Sequence, residues 1–172
     1  SEMSENSLPD GTLEQAESLD TGSTGDGTID RSKALSVALE NAGVPEKDAY
    51  NVKVERDREN DIPIFQVEFE TEYGDYDFEI AVAGGKIIGA DYEVDEEWLD
   101  RLGGIPVTLE EAEQVVQSKV PGSSAENIRM REESGDGRGR FEGELFHDGI
   151  QYEFEIDSKT GIIFDWNADL RE

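Results

Sequence analysis

Four pairs of carboxylates carry the chemistry this chain could do: Glu68 with Glu70, Asp77 with Glu79, Glu142 with Glu144, and Glu153 with Glu155. Members of each pair are two residues apart. In a strand, that spacing puts both on one face. Hairpin neighbours then bring pairs within reach of one another. Such rows attract a cationic protein or a basic peptide, and hard divalent cations take oxygen ligands of this kind. Paired carboxylates also run acid–base catalysis, but only in a cleft that drives their pKa values apart. A small meander offers a convex face instead, so no catalytic residue is assigned. No D-x-D-x-D-G loop occurs in the sequence, so no dedicated metal site is assigned and only weak divalent-cation binding is expected. The eight acids and Trp98 are the candidate partner-binding residues.

The other reactive residue types narrow the field further. There is no cysteine and one histidine, His147, which excludes thiolate nucleophiles, Cys-ligated zinc and multi-histidine metal sites. His147 reads as an exposed residue at a hairpin end. The glycine-rich run at 134–139 lacks the Lys-Ser/Thr and the helix that a phosphate loop requires, and reads as a flexible hairpin loop. No cofactor is indicated. Forty-three Asp and Glu face fifteen Lys and Arg, for a net charge of −28. That balance excludes a nucleic-acid surface, which needs clustered cations, and argues against docking on an anionic membrane.

The elements that position the carboxylates come twice. The 24 residues from Phe65 align without a gap on those from Phe141, with eight identities that include Tyr76/Tyr152, Phe78/Phe154, Ile80/Ile156 and the turn pair Gly85/Gly161. A repeat at fixed spacing implies one supersecondary unit used twice. A helical pattern precedes each copy. Asp30 caps the first, in which Ala34, Val37, Ala38 and Ala42 share a face widened by Leu35 and Leu39, and Gly43 and Pro45 stop it. Thr108 and Glu111 form a capping box for the second, whose stripe is Leu109, Ala112, Val115, Val116 and Val120. Ile29 and Val107 precede the caps as staple residues.

Period-two alternation then predicts strands over 50–56, 64–71, 76–82 and 86–92, and again over 127–132, 138–146, 150–156 and 162–166. The fold class expected is α+β: two tandem repeats, 29–94 and 107–172, each one helix packed on its own four-stranded antiparallel meander. Units of about 65 residues are marginal alone, so the copies should pack on each other. Residues 95–106 form a linker with a short helix, whose Trp98 either fills the seam between repeats or meets a partner. Apolar residues make up only 35% of the chain, and the dilution is concentrated in 1–28, which reads as a flexible acidic linker. The chain opens on Ser1, and a polar leader of this type suits a protein that follows a signal peptide or lipid anchor.

The run from Tyr152 to Ile163, an aromatic–acidic strand ending in Ile156-Asp157 and a small-residue turn to Gly161, resembles the signature of PepSY domains. The helix ALSVALENAGV resembles the family's opening helix. The first copy departs from the signature, with Ala81 in place of the aspartate. The resemblance implies a helix on an antiparallel sheet, no catalytic residues, and occurrence in propeptides of thermolysin-like proteases and in exported Gram-positive lipoproteins. The expected function is therefore a non-enzymatic, extracellular, surface-anchored binding protein that modulates or inhibits a peptidase or another envelope protein. The alternative is an acidic surface protein that binds divalent cations or has a structural role.

Overall fold

The computed structural model describes residues 25–134 and 137–171. Helix α1 (Arg31–Ala42) begins where the Asp30 carboxylate accepts the Lys33 N–H, and ends where Gly43 takes the left-handed conformation (φ 70°) that its missing Cβ permits. Strands β1 (Tyr50–Glu59), β2 (Ile62–Thr71), β3 (Gly74–Ala81) and β4 (Ile87–Val94) follow as a meander. A single 3₁₀ turn, Glu96–Trp98, runs into the short helix α2 (Leu99–Leu102). The second unit repeats the order: α3 (Leu109–Lys119) with both halves of its Thr108/Glu111 capping box formed, then β5 (Ile128–Glu133), β6 (Arg140–His147), β7 (Ile150–Asp157) and β8 (Ile163–Leu170). Among the described residues no helix is long and apolar enough to cross a membrane.

The expectation of two separate sheets is corrected here. The meanders join edge to edge through an antiparallel pairing of β4 with β8, giving one eight-stranded sheet in the order β1-β2-β3-β4-β8-β7-β6-β5. The physical reason is the fourth strand of each unit. It has one free hydrogen-bonding edge, and pairing the two edges satisfies both rows of N–H and C=O groups. At the middle of this seam Asp91 faces Asn167, residues in corresponding places of the two copies. The units are thus related by a pseudo-two-fold axis through that pair.

Register and alternation then make two unlike faces. On one, an apolar row runs unbroken across the seam: Val67, Phe78, Ala90, Ala168, Tyr152 and Leu145 pair in succession, and all six are buried. Both helices contribute to this core through Ala34, Ala38 and Leu39 and through Ala112 and Val116. Alanines at the contact let each helix approach the sheet closely. Leu109, expected in the second stripe, is exposed at the first position of α3. The turn glycines shared by the copies have a common cause. Gly85 and Gly161 both have φ 75°, and a Cβ there would press on the staple residues Ile29 (3.3 Å) and Val107 (3.0 Å). Of the N-terminal linker, Thr28 pairs with Ala83 as an isolated bridge, while positions 1–24 lie outside the described residues.

Candidate functional site

The opposite face of the sheet is predominantly acidic, with Lys53 at one end and Arg129 and Arg131 at the other. One cross-strand row reads Lys53, Glu68, Asp77, Asp91, Asn167, Glu153, Glu144, Arg129. The next reads Glu70, Asp75, Glu93, Asp165, Glu155, Glu142, Arg131. All eight carboxylates expected from the sequence lie on this one face. What the fused sheet adds is the middle of each row: Asp91, Glu93 and Asp165 stand between the two sets. The face carries two shallow hollows, of about 870 Å³ beside Glu68, Asp77 and Asp91, and about 660 Å³ beside Glu144, Glu153 and Asp165.

The two halves differ in charge balance. In the second unit Arg140 donates to Glu155 (2.7 Å), Arg131 to Glu142 (3.0 Å), and Arg129 lies 3.6 Å from Glu144. Glu68, Asp77, Glu79, Asp91, Glu93 and Asp165 have no ion pair among the described residues; Asp77 accepts only from the neutral Gln66 amide. Partial burial, then the charges of Glu93, Glu155 and Asp91, push the Asp165 carboxyl up to about 6. Burial with Glu68 and Asp91 raises Asp77, and burial with Glu59 and Asp77 raises Glu79. The centre of the sheet is a region of like charge held together by its backbone, where an incoming cation relieves repulsion. Among the described residues no three His, Asp or Glu side chains converge to ligate one metal ion.

At one end of this face the signature aspartate has a defined task. Asp157 is buried (1% exposed) and takes both arms of Arg138, at 2.7 and 2.8 Å, with Thr160 Oγ1 donating at 2.6 Å. Arg138 also donates twice to Asp100 of α2, so the residue tethers the linker helix to the second unit. Burial alone would raise the Asp157 carboxyl, but the Arg138 and Thr160 hydrogen bonds outweigh it and hold the group below its ordinary value. The run at 134–139 read as a flexible loop thus contains an anchored arginine; positions 135 and 136 lie outside the described residues. In the first unit Ala81 stands in the aspartate's place, within a small apolar cluster of Ile62, Ile64 and Ile88. The same corner is ionic in one copy and apolar in the other.

Behind the sheet, sequence reasoning missed a cleft of about 910 Å³ between the ends of α1 and α3. Its floor includes Tyr92 and Trp166, which pair across the seam. Lys119, the last residue of α3, hangs over both rings, with Nζ 4.9 Å and 5.0 Å from their centroids. The ammonium donates to the Asn41 carbonyl, and Asn41 Nδ2 donates back to the Lys119 carbonyl at 3.3 Å. No described carboxylate lies within 4.0 Å of it, and burial without a counter-charge brings the Lys119 pKa down to about 7. A lysine in a last helical turn normally reads as a solvated partner of the helix dipole. The available signal was that Asn41 and Lys119 occupy matching helix positions 78 residues apart, the spacing of the two helix patterns.

Two further expected residues take up definite places. His147 ends β6 half-buried at the cleft rim beside Gly122, not exposed. Trp98 is half-buried, tilted against Tyr73 (centroids 6.0 Å) and covered by Arg101 at 4.4 Å; its neighbour Leu99 is the residue that enters the core. Trp98→Ala should lower stability by about 1–2 kcal/mol in chemical denaturation, less than for a fully buried tryptophan because only part of the ring is covered. An unchanged midpoint would leave Trp98 to partner contact alone.

A search of curated proteins returned no match. Among solved structures, the C-terminal domain of Bacillus megaterium YpeB aligns at 10% identity with a TM-score of 0.47, over 81% of this chain and 62% of that structure. This chain thus spans less than two thirds of it. A candidate lipoprotein of Clostridium difficile 630 aligns at 15% identity with a TM-score of 0.34, over 85% and 97% of the respective chains. The family described as "Peptidase propeptide and YPEB domain" matches twice, at residues 28–91 and 106–166. Those spans take in both helix-plus-meander units, and the chain belongs to the PepSY family.

Proposed function

We propose that this protein is a non-enzymatic binding module acting outside the cytoplasm, and that it modulates or inhibits a peptidase or another cell-envelope protein by holding a cationic segment of it against the acidic face. The observation that carries this reading is the unneutralised set at the sheet centre, Asp77, Asp91, Glu93 and Asp165, none of which makes an ion pair among the described residues. A Lys- or Arg-rich segment laid across the seam supplies the missing charge. The resolved shifts among these central carboxylates, at Asp77, Glu79 and Asp165, all run upward. Burial and like charge raise all three, so a cation bound among them relieves repulsion. Membership of a family of propeptide-type domains supports a protein partner, and the resemblance to exported lipoproteins supports the location.

The test is titration with a short Lys/Arg-rich peptide at low ionic strength, alongside capture from the parent cell envelope and inhibition of a thermolysin-like protease. Saturable binding that weakens with salt is expected. The double variant Asp91→Asn/Asp165→Asn should weaken it by about tenfold, corresponding to about 1.4 kcal/mol. Glu142→Gln, which removes an acid already paired with Arg131, should leave it near the wild-type value. Equal loss in both variants would mean diffuse attraction without a site. No capture and no inhibition at micromolar protein would remove the peptidase from the proposal.

A further inference from the structure

The cleft on the helix side has the composition of a small-molecule site, and it is independent of the acidic face. Its volume of about 910 Å³ falls within the roughly 300–1,000 Å³ usual for such sites. The floor is aromatic, with Tyr92 and Trp166 nearly excluded from solvent, and Tyr76 and Tyr152 flank them on the same face. Into this apolar space the chain places one ammonium. Lys119 carries three N–H groups, of which one is taken by the Asn41 carbonyl. Among the described residues the other two make no hydrogen bond. The remaining charged residues of the lining do not reach it: Lys86 pairs with Asp148 at 2.9 Å, and Glu40 is exposed on α1. The Asn41 side-chain oxygen is also buried without a hydrogen-bond partner.

A buried cation without a counter-ion is costly, and it is retained only where the surroundings or a ligand compensate it. The helix ends do so in part, through the Asn41 carbonyl, and the two rings add their negative faces. Neither supplies a full negative charge. We infer that the cleft binds a small organic acid, with its carboxylate on Lys119 Nζ and its aromatic or aliphatic body against the partly exposed apolar lining of Val37, Val115 and Ile162. A carboxylate at that point pairs the charge in a low-dielectric space, where a charge-assisted hydrogen bond is strongest. It would also return Lys119 toward its ordinary protonation. In a chain of net charge −28, an anionic ligand is otherwise disfavoured everywhere, so discrimination rests on this one residue.

The experiment is calorimetric titration of 3-phenylpropionate and decanoate, with 3-phenylpropanol and 3-phenylpropylamine as neutral and cationic counterparts. Trp166 fluorescence is followed in a Trp98→Phe background, so that the signal comes from the cleft floor. Saturable binding of the acids is expected, with the alcohol and the amine at least about tenfold weaker. Lys119→Met, which keeps the aliphatic stem, should lose the preference for acid over alcohol, and Lys119→Arg should keep it. A thermal melt of each variant confirms that the cleft is still formed. Equal binding of acid and alcohol, unchanged acid binding by Lys119→Met, or no binding at millimolar ligand each overturns the inference. None of these readouts involves Asp91 or Asp165, so the result is separate from that of the basic-peptide titration.

Discussion

Asp157→Ala should destabilise the protein by about 3 kcal/mol in urea denaturation, the largest effect expected of any single polar residue. The cost comes from both sides of the pair. The carboxylate receives both arms of Arg138 and the Thr160 hydroxyl, and its removal leaves the guanidinium facing a hole at the end of β7. Arg138 keeps Asp100, which holds the loss below that of a fully buried, unpartnered charge. The first unit shows the apolar solution to the same corner, with Ile62 and Ala81 in a small hydrophobic cluster. The double variant Arg138→Ile/Asp157→Ala should therefore recover more than half of the loss. A double variant no better than the single one would mean that the tether to α2, not the buried charge, is what matters. The pH dependence has a fixed sign. Because the folded Asp157 pKa is depressed, the pair's contribution is complete above the unfolded carboxylate value and disappears as pH falls through the folded one.

Lys119→Met should have the opposite effect, a gain of about 2 kcal/mol at pH 6. A lysine whose folded pKa lies near 7 prefers the unfolded state wherever it is protonated. Its penalty is complete below about pH 7 and is relieved as pH rises toward the unfolded value near 10.5. The advantage of Lys119→Met should accordingly shrink between pH 7 and 9.5, while the wild-type protein gains stability over the same interval. On the acid side Asp165, with its carboxyl raised to about 6, favours the folded state when protonated. That contribution is lost as pH rises from the unfolded aspartate value through about 6. Together the two groups predict a shallow minimum of wild-type stability near pH 6–7, to be read from urea midpoints across the range. A Lys119→Met protein less stable than wild type at pH 6 would show that bridging the Asn41 carbonyl outweighs the burial of charge.

Much of each unit was legible in the sequence, because helix caps, turn glycines and period-two alternation are local signals. Asp30, the Thr108/Glu111 box, Gly85 and Gly161 act as their types and spacing require. The joining of the meanders was not legible. Residues 87–94 and 163–170 alternate in the same way whether their outer edge meets water or another strand, since pairing involves backbone groups that carry no side-chain signature. For the same reason Asp91, Glu93 and Asp165 read as ordinary solvated positions until the seam places them between two other acidic strands. Lys119 was hidden differently: its surroundings come from α1 and from two strands remote in sequence, and only the packed helices withdraw it from solvent.

The axis through the seam has a consequence for how such a molecule can be made. It runs between Asp91 and Asn167 on one face and between Asn41 and Lys119 on the other, each pair occupying equivalent places. Two identical protomers meeting in this way would set aspartate against aspartate, or two desolvated ammonium groups against each other. Linking the halves in one polypeptide frees the central positions from that identity. The molecule keeps the geometry of a symmetric dimer while placing a single positive charge at its heart.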